Sequence, residues 1–346
     1  MNEKMMRKCV ITDKFKVEVQ AQKIPDIQPD WVLAHVESVG ICGTDVEMFT
    51  GDQTYIKSGL MHYPIVPGHE WVGRVASVGN HVNDYAVGDR ITGETHIGCG
   101  TCEPCLSGKY NACKTLLRVG IGGLPGACGD YILLPSKSLH HLPENISTQE
   151  AILLEPTTVV HSALMSAGFQ GGERVAIYGP GTLGLLGISI ARSLGASEII
   201  LIGTRDSRLS IGKHLGADET INITTNPDGA NKLRDYANVV LETSGSPAGF
   251  IAGLGALRKH GRLCVVSLYS SPASLDLSRI VVANLKISGN LGSPGIWDKT
   301  IRLMTGGRIL TEGIVTHTFP LDRVAEAFET AHSRTGNAIK VSIRMD

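Results

Sequence analysis

The sequence lacks any apolar run of about eighteen residues, the length a membrane-crossing helix needs, so no segment is expected to span a bilayer. Its opening, MNEKMMRKCVITDKF, is charged and has no uninterrupted apolar core, which argues against a secretory signal. Long blocks of like charge are missing and the formal net charge is −1, so no nucleic-acid partner is expected. Collagen-like and low-complexity runs are absent too. These absences leave a cytoplasmic protein acting on a small molecule. Cytosolic thiols stay reduced, so the eight cysteines read first as metal ligands, reactive thiols or packing residues.

What is abundant is glycine, 41 residues that mark many turns and close backbone approaches. A chain of 346 residues exceeds the usual single core, so two domains are expected. Up to about residue 145 the apolar residues come in short, often alternating runs such as VLAHVESVGI and EWVGRVASVG, broken by Gly, Pro, Asn and Asp. That pattern predicts a β-rich region. Near residue 147 it changes: Ser147 stands three residues before Glu150 as a capping box, and helical periodicity follows. Strands are predicted over 174–179, 198–203, 238–245, 261–268 and 285–291, separated mostly by helices. Short, almost wholly apolar strands spaced in this way indicate a doubly wound α/β domain with a parallel sheet. The tail, with a helix in LDRVAEAFETA and a strand in IKVSIRM, is too short to form a domain alone. The expected division is therefore 1–150 and 292–346 as two pieces of one domain, with 151–291 inserted between them.

RVAIYGPGTLGLLGISIARSLGA reads as a strand, a turn carrying Gly179, Gly181 and Gly184 in GxGxxG spacing, and an amphipathic helix opening at Thr182 and Leu183. In that context the motif is a dinucleotide fingerprint rather than a plain glycine-rich helix entry. Backbone amides there can approach a pyrophosphate, whose charge the helix N-terminus stabilises. An NAD site needs a carboxylate near the end of the second strand, but Gly203 stands there, followed by Thr204 and Arg205. Without that acid, and with a hydroxyl and a guanidinium able to bind a 2′-phosphate, NADP(H) is favoured. The other reading turns Asp206 back to the ribose and leaves Arg205 as a solvated charge.

GCGTCEPCLSGKYNAC holds Cys99, Cys102, Cys105 and Cys113, half of all the cysteines within a short window. Four thiolates can close a tetrahedral zinc site with no open position, which makes it structural. Local disulfides are disfavoured by the expected compartment, and spare reduced thiols remain the plain alternative. Cys42, in GICGTDVEMF, is far from this cluster. His69 and Glu70 in PGHEWVGRV and Glu155 in LLEPTTVVH offer it partners: thiolate, imidazole and carboxylate form a three-ligand zinc site with its fourth position open. One at a time, these residues read rather as a small buried hydrophobe, a hydrogen-bonded core histidine and solvated acids.

Taken together, GICGTD, PGHEWVGRVASVG, GDRI, the four-cysteine lobe, LLEP, GPGTLG, ETSG and THTFPLDRVAEAFE resemble the zinc-dependent medium-chain dehydrogenase/reductase superfamily. The likeness is to its polyol, threonine and secondary-alcohol dehydrogenase branch, over nearly the whole chain. The resemblance implies a GroES-like β-rich catalytic domain built from both chain ends, a Rossmann domain between them, and an active-site cleft at their junction. It implies two zinc ions per chain, with Cys42 and His69 as ligands of the catalytic one. Relatives differ in the third ligand; Glu155 is expected here, with Glu70 adjacent or exchanging with it. Asp45 matches the carboxylate that orients His69, and Thr44 the hydroxyl that receives the substrate proton. Some relatives carry histidine where this chain has Glu47, which leaves the outer proton route open. The implied reaction is reversible hydride transfer between NADP(H) and a secondary alcohol or polyol. An amino alcohol such as threonine or an aminocyclitol is the alternative substrate, and a non-catalytic dinucleotide-binding protein the alternative class. Tyr55, His96, Arg118 and Trp297 are pocket candidates without a place. A homodimer or homotetramer is expected, joined through the edge strand near LKISGNL.

Overall fold

The computed structural model describes residues 4–269 and 271–345. The chain forms two compact units, Met1–Glu155 with Val315–Asp346, and Pro156–Ile314. No helix among the described residues is long and apolar enough to cross a membrane.

The first unit opens with strands β1 (Met5–Asp13), β2 (Lys16–Lys23) and β3 (Trp31–Ile41), then helices α1 (Gly43–Thr50) and α2 (Thr54–Lys57). Strands β4 (Glu70–Val78), β5 (Arg90–Gly93) and β6 (His96–Ile97) follow, then helix α3 (Glu103–Leu106). Strands β7 (Leu117–Val119), β8 (Gly123–Leu124), β9 (Tyr131–Pro135) and β10 (Leu139–His141) lead to α4 (Thr148–Ala151). The chain passes into the second unit within α5 (Leu154–Ser166). There β11 (Arg174–Tyr178), α6 (Thr182–Ser193), β12 (Glu198–Gly203), α7 (Asp206–His214) and β13 (Glu219–Asn222) alternate. They are followed by β14 (Ala237–Glu242), α8 (Pro247–Ala256), β15 (Leu257–Val265), α9 (Leu277–Val282), β16 (Lys286–Gly289) and α10 (Trp297–Thr305). The first unit is completed by β17 (Val315–Pro320), α11 (Val324–Ser333) and β18 (Lys340–Arg344).

In the first unit a seven-stranded sheet runs β10-β5-β4-β3-β18-β17, with β9 also paired to β3. Both chain ends enter it, because β18 zips antiparallel onto β3 from Val341 opposite Ile41 to Arg344 opposite Ser38. Trp71, Ile132, Leu134, Phe328 and Ile343 fill its core. The second unit has a wholly parallel sheet in the order β13-β12-β11-β14-β15-β16. Strands such as EIILIG are buried along nearly their whole length, as a sheet covered on both faces requires.

Three details differ from the sequence reading. The return to the first unit comes at Val315 and not at 292. The intervening segment stays with the second unit because Trp297, Ile301 and Met304 of α10 are buried, Thr300 bonds His161 and Ser189 donates to the Leu310 carbonyl. The helix capped by Ser147 lasts only one turn before α5 restarts, since Pro156 would clash with the Ile152 carbonyl of a continuous helix. Strand β13 was not foreseen; ETIN is short and polar, and its pairing with β12 makes it a strand.

Candidate functional site

Asp45 organises the start of α1. It is the third helical residue, and its Oδ2 accepts the Cys42 backbone N–H at 2.8 Å, so Cys42 sits at the helix N-cap. Its Oδ1 accepts the Gly68 N–H at 3.1 Å. One buried carboxylate thus ties down the residue that carries the thiol and the residue just before His69. Oδ1 lies 3.8 Å from His69 Nδ1, too far for a hydrogen bond, so the expected direct orientation of the imidazole by Asp45 is not made. Asp45 acts on the two backbone segments instead.

The ligand atoms of Cys42, His69 and Glu70 lie within 4.8 Å of one another. His69 and Glu70 are buried, and His69 Nδ1 is buried with no hydrogen-bond partner. A soft thiolate, an imidazole and a carboxylate fit a divalent zinc ion with one position left over. Glu155, the expected third ligand, lies outside that cluster, whereas Glu70 is in it. The difference has a local cause: Glu70 follows His69 directly at the start of β4, while the Glu155 carboxylate is held by Thr95, whose hydroxyl donates to it at 2.8 Å. Burial raises the Glu155 pKa, with His69 opposing and the nearby Glu70 adding to the rise. Thr44 is half-buried in the first turn of α1, and Glu47 is half-buried further along it.

Two polar residues beside this cluster were missed. Lys340, buried on β18, donates from Nζ to Glu70 and, at 3.0 Å, to the Ile41 carbonyl. Thr95 is the other. The available signal for Lys340 was a charge opening the strand in IKVSIRM, ahead of Val341 and Ile343; Thr95 gave none.

Three pocket candidates also belong to this unit. His96 is directly opposite Arg118 across β6 and β7. Arg118 Cζ stands 5.4 Å from the centre of the Tyr55 ring. Burial, chiefly, pushes the His96 pKa down to about 4, so its imidazole is neutral at physiological pH. Trp297 is instead buried at the start of α10 in the second unit.

The four-cysteine lobe is a separate cluster, with Cys99, Cys102, Cys105 and Cys113 sulfurs all within 4.8 Å of one another. Cys99 and Cys105 sulfurs are 3.9 Å apart, and those of Cys102 and Cys113 are 3.7 Å apart. Four sulfurs at about 2.3 Å from a central zinc form a tetrahedron with edges of about 3.8 Å, whereas a disulfide needs about 2.05 Å. All four thiols are free. The Thr101 hydroxyl and the Thr101 and Cys102 amides donate to Cys99 sulfur and bring its pKa down to about 5, favouring the thiolate a metal takes.

In the second unit β11 delivers the glycine-rich turn and α6 leaves it at Thr182 and Leu183. A side chain on Gly184 would strike the Gly179 carbonyl at 1.9 Å, so glycine there lets the helix close on the strand end. Gly181, the N-cap, has open space in front of it and offers no side-chain cap to the helix amides. At the end of β12 a Cβ on Gly203 would lie 2.5 Å from Pro180, which excludes the carboxylate an NAD site places there. Thr204 and Arg205 are exposed. Asp206 opens α7, where Asn222 donates to its carboxylate at 2.6 Å.

Comparison with known proteins agrees with this geometry. Residues 28–144 match the alcohol dehydrogenase GroES-like domain and residues 182–306 the zinc-binding dehydrogenase family. The chain is 30% identical over 344 residues to a sorbitol dehydrogenase of Bacillus subtilis, covering 98% of this chain and 97% of that protein. It is 30% identical over 336 residues to an L-threonine 3-dehydrogenase of Pectobacterium atrosepticum, covering 93% and 89%. A putative zinc-binding dehydrogenase from Sinorhizobium meliloti, solved bound to NADP, superposes with a TM-score of 0.91 at 25% identity, over 99% of this chain and 100% of that one. With a GroES-like unit, a Rossmann unit and an oxidoreductase's relatives along its whole length, the chain belongs to the zinc-dependent medium-chain dehydrogenase/reductase family, among its alcohol and polyol dehydrogenases.

Proposed function

We propose that the protein reversibly oxidises a secondary alcohol or polyol to the ketone with NADP(H). The observation that carries this reading is the convergence of Cys42, His69 and Glu70 donor atoms within 4.8 Å, in a chain whose relatives include a sorbitol dehydrogenase. These three residues hold the catalytic zinc, with Glu155 close enough to feel His69 and Glu70 and able to exchange with Glu70. Zinc held there supplies Lewis acidity to an alcohol or carbonyl oxygen. Thr44 takes the substrate proton on its hydroxyl, two residues beyond Cys42. Glu47 receives it on the way to solvent; burial, then Asp52, raises its pKa, which suits a carboxylate that must take up a proton. Lys340 balances the charge of Glu70. The four cysteines hold a structural zinc.

The nucleotide pyrophosphate lies against Gly181, Thr182 and Leu183 at the start of α6, a helix of 12 residues. NADP(H) is preferred because Gly203 has no room for an acid, Asp206 is engaged by Asn222, and Arg205 is free to approach a 2′-phosphate. The NADP-bound relative supports the same choice. Changing Arg205 to alanine should raise KM for NADP about tenfold and leave that for NAD nearly unchanged; equal rises would remove Arg205 from the site.

A homodimer through β16 completes the proposal. That strand is the last of its sheet, and Ile287 on it and Val281 and Val282 on α9 are exposed. Light scattering at a monomer's mass would refute it. The decisive test of function is nicotinamide absorbance at 340 nm, about where the reduced ring absorbs, with polyols, simple secondary alcohols and amino alcohols, each with NADP and NAD. Reduction with polyols or secondary alcohols and NADP is expected. Reduction with amino alcohols alone would move the substrate class, and silence with all would mean a substrate outside these classes or a non-catalytic protein.

A further inference from the structure

Arg118 has no task in the reaction as described. It faces His96 across the short β6–β7 ladder, so the two side chains leave the same face, and His96 lies within electrostatic reach of both Arg118 and His69. The ladder lies beside the residues that carry the cluster, since Val119 donates to the Thr95 carbonyl and Gly120 packs on the Gly68 backbone, and the Arg118 side chain shares a face of it with His96. Arg118 is half-buried, and its Nε is buried with no hydrogen-bond partner.

Several other arginines are matched by acids, among them Arg7 by Asp130, Arg74 by Glu37 and Glu144, Arg262 by Glu173 and Arg279 by Asp235. Among the described residues no carboxylate pairs with Arg118; its neighbours are the Tyr55 ring and a neutral imidazole. The ring face offers a cation only modest compensation, and a partly desolvated guanidinium without a counter-charge is costly. A planar fork of N–H donors with its inner nitrogen unmet is matched by an oxyanion that can accept two parallel hydrogen bonds.

We propose that Arg118 is a specificity-determining residue that binds an oxyanion on the substrate, so that the alcohol oxidised here carries a phosphate ester or a carboxylate away from its reacting carbon. This rests on the dehydrogenase reading above. Neutral polyols then bind the same pocket weakly, because they leave the guanidinium unmatched.

The test uses the full-length zinc-loaded enzyme and alcohols in matched pairs: glucitol against glucitol 6-phosphate, and 2,3-butanediol against 3-hydroxybutyrate. One anionic member should exceed its neutral partner in kcat/KM by about tenfold or more, and the pair in which this occurs separates phosphate from carboxylate. Arg118→Gln should cut that anionic-to-neutral ratio by about ten- to a hundredfold, chiefly through KM, and Arg118→Lys should restore part of it. With the unaltered enzyme, inorganic phosphate should compete with the neutral alcohol. Neutral alcohols preferred in both pairs, a ratio unmoved by Arg118→Gln, or no competition by phosphate would each overturn the proposal while leaving the dehydrogenase intact. If no alcohol in the panel is oxidised, calorimetry decides: glucitol 6-phosphate and 3-hydroxybutyrate must bind more tightly than their neutral partners in an Arg118-dependent way, or the proposal falls with the reading it rests on.

Discussion

Two donor clusters in one unit of this protein are built on opposite plans. The cysteine lobe draws four like donors from residues 99–113, three of them partly exposed, and its sulfurs lie within 4.8 Å of one another. The second cluster takes three unlike ligands from residues 42, 69 and 70, with its imidazole and carboxylate buried. It is surrounded by Asp45, Thr95, Glu155 and Lys340, each held by a named hydrogen bond. A local, single-chemistry set can only fasten a loop, because no position remains for substrate. A distributed, mixed set with a supporting polar shell leaves a position open and tunes it. On the function proposed above, the first cluster fastens a loop and the second reacts.

The sharpest way to break that contrast is Cys42→Ser. Turnover should fall about a thousandfold or more, since several kcal/mol of charge stabilisation is lost. Metal analysis should show zinc falling from two equivalents to one, with circular dichroism unchanged. Full activity, or loss of the fold, would mean the mixed cluster is structural after all.

Glu70→Gln and Glu155→Gln sharpen the ligand assignment. Each should lower kcat/KM by about 10- to 100-fold. Zinc content measured after dialysis should drop more for Glu70→Gln, because Glu70 and not Glu155 lies within the donor cluster. The reverse order would return Glu155 to the place of third ligand. Asp45→Asn should cost about tenfold in activity, and less in stability, because it loosens the Cys42 and Gly68 backbone anchors without removing a ligand.

The smallest effect on catalysis is expected at the lobe. Cys102→Ser should lower the melting temperature by about 5–10 °C and remove one zinc, while kcat/KM at 25 °C changes far less than for Cys42→Ser. A collapse of activity with an unchanged melting temperature would dissolve the distinction between the two clusters.

Legibility in the sequence followed the range of the interactions. The lobe needs only ligands a few residues apart, so the spacing of Cys99, Cys102, Cys105 and Cys113 was enough to nominate it. The nucleotide turn is equally local, since Gly179, Gly181 and Gly184 act within one strand-turn-helix step. Strand ends were read well where apolar runs were long, as in EIILIG, and poorly where pairing alone makes the strand, as in ETIN. The extent of the second unit was misread at residue 292 because what holds 292–314 there is the burial of Trp297 and the bond from His161 to Thr300, contacts between segments more than a hundred residues apart.

The sequence by itself determined the two kinds of fold, the family, the fingerprint turn and the cysteine lobe, all of which rest on neighbouring residues and on periodicity. Only the tertiary structure brought the Glu70 carboxylate within 4.8 Å of the Cys42 and His69 donor atoms. It also brought Lys340, some 270 residues beyond Glu70, to balance that charge, and left Arg118 opposite His96 with no acid partner among the described residues. The reason is physical: a backbone period is fixed by a residue's immediate neighbours, but a buried charge is satisfied only by groups that folding carries to it from elsewhere in the chain.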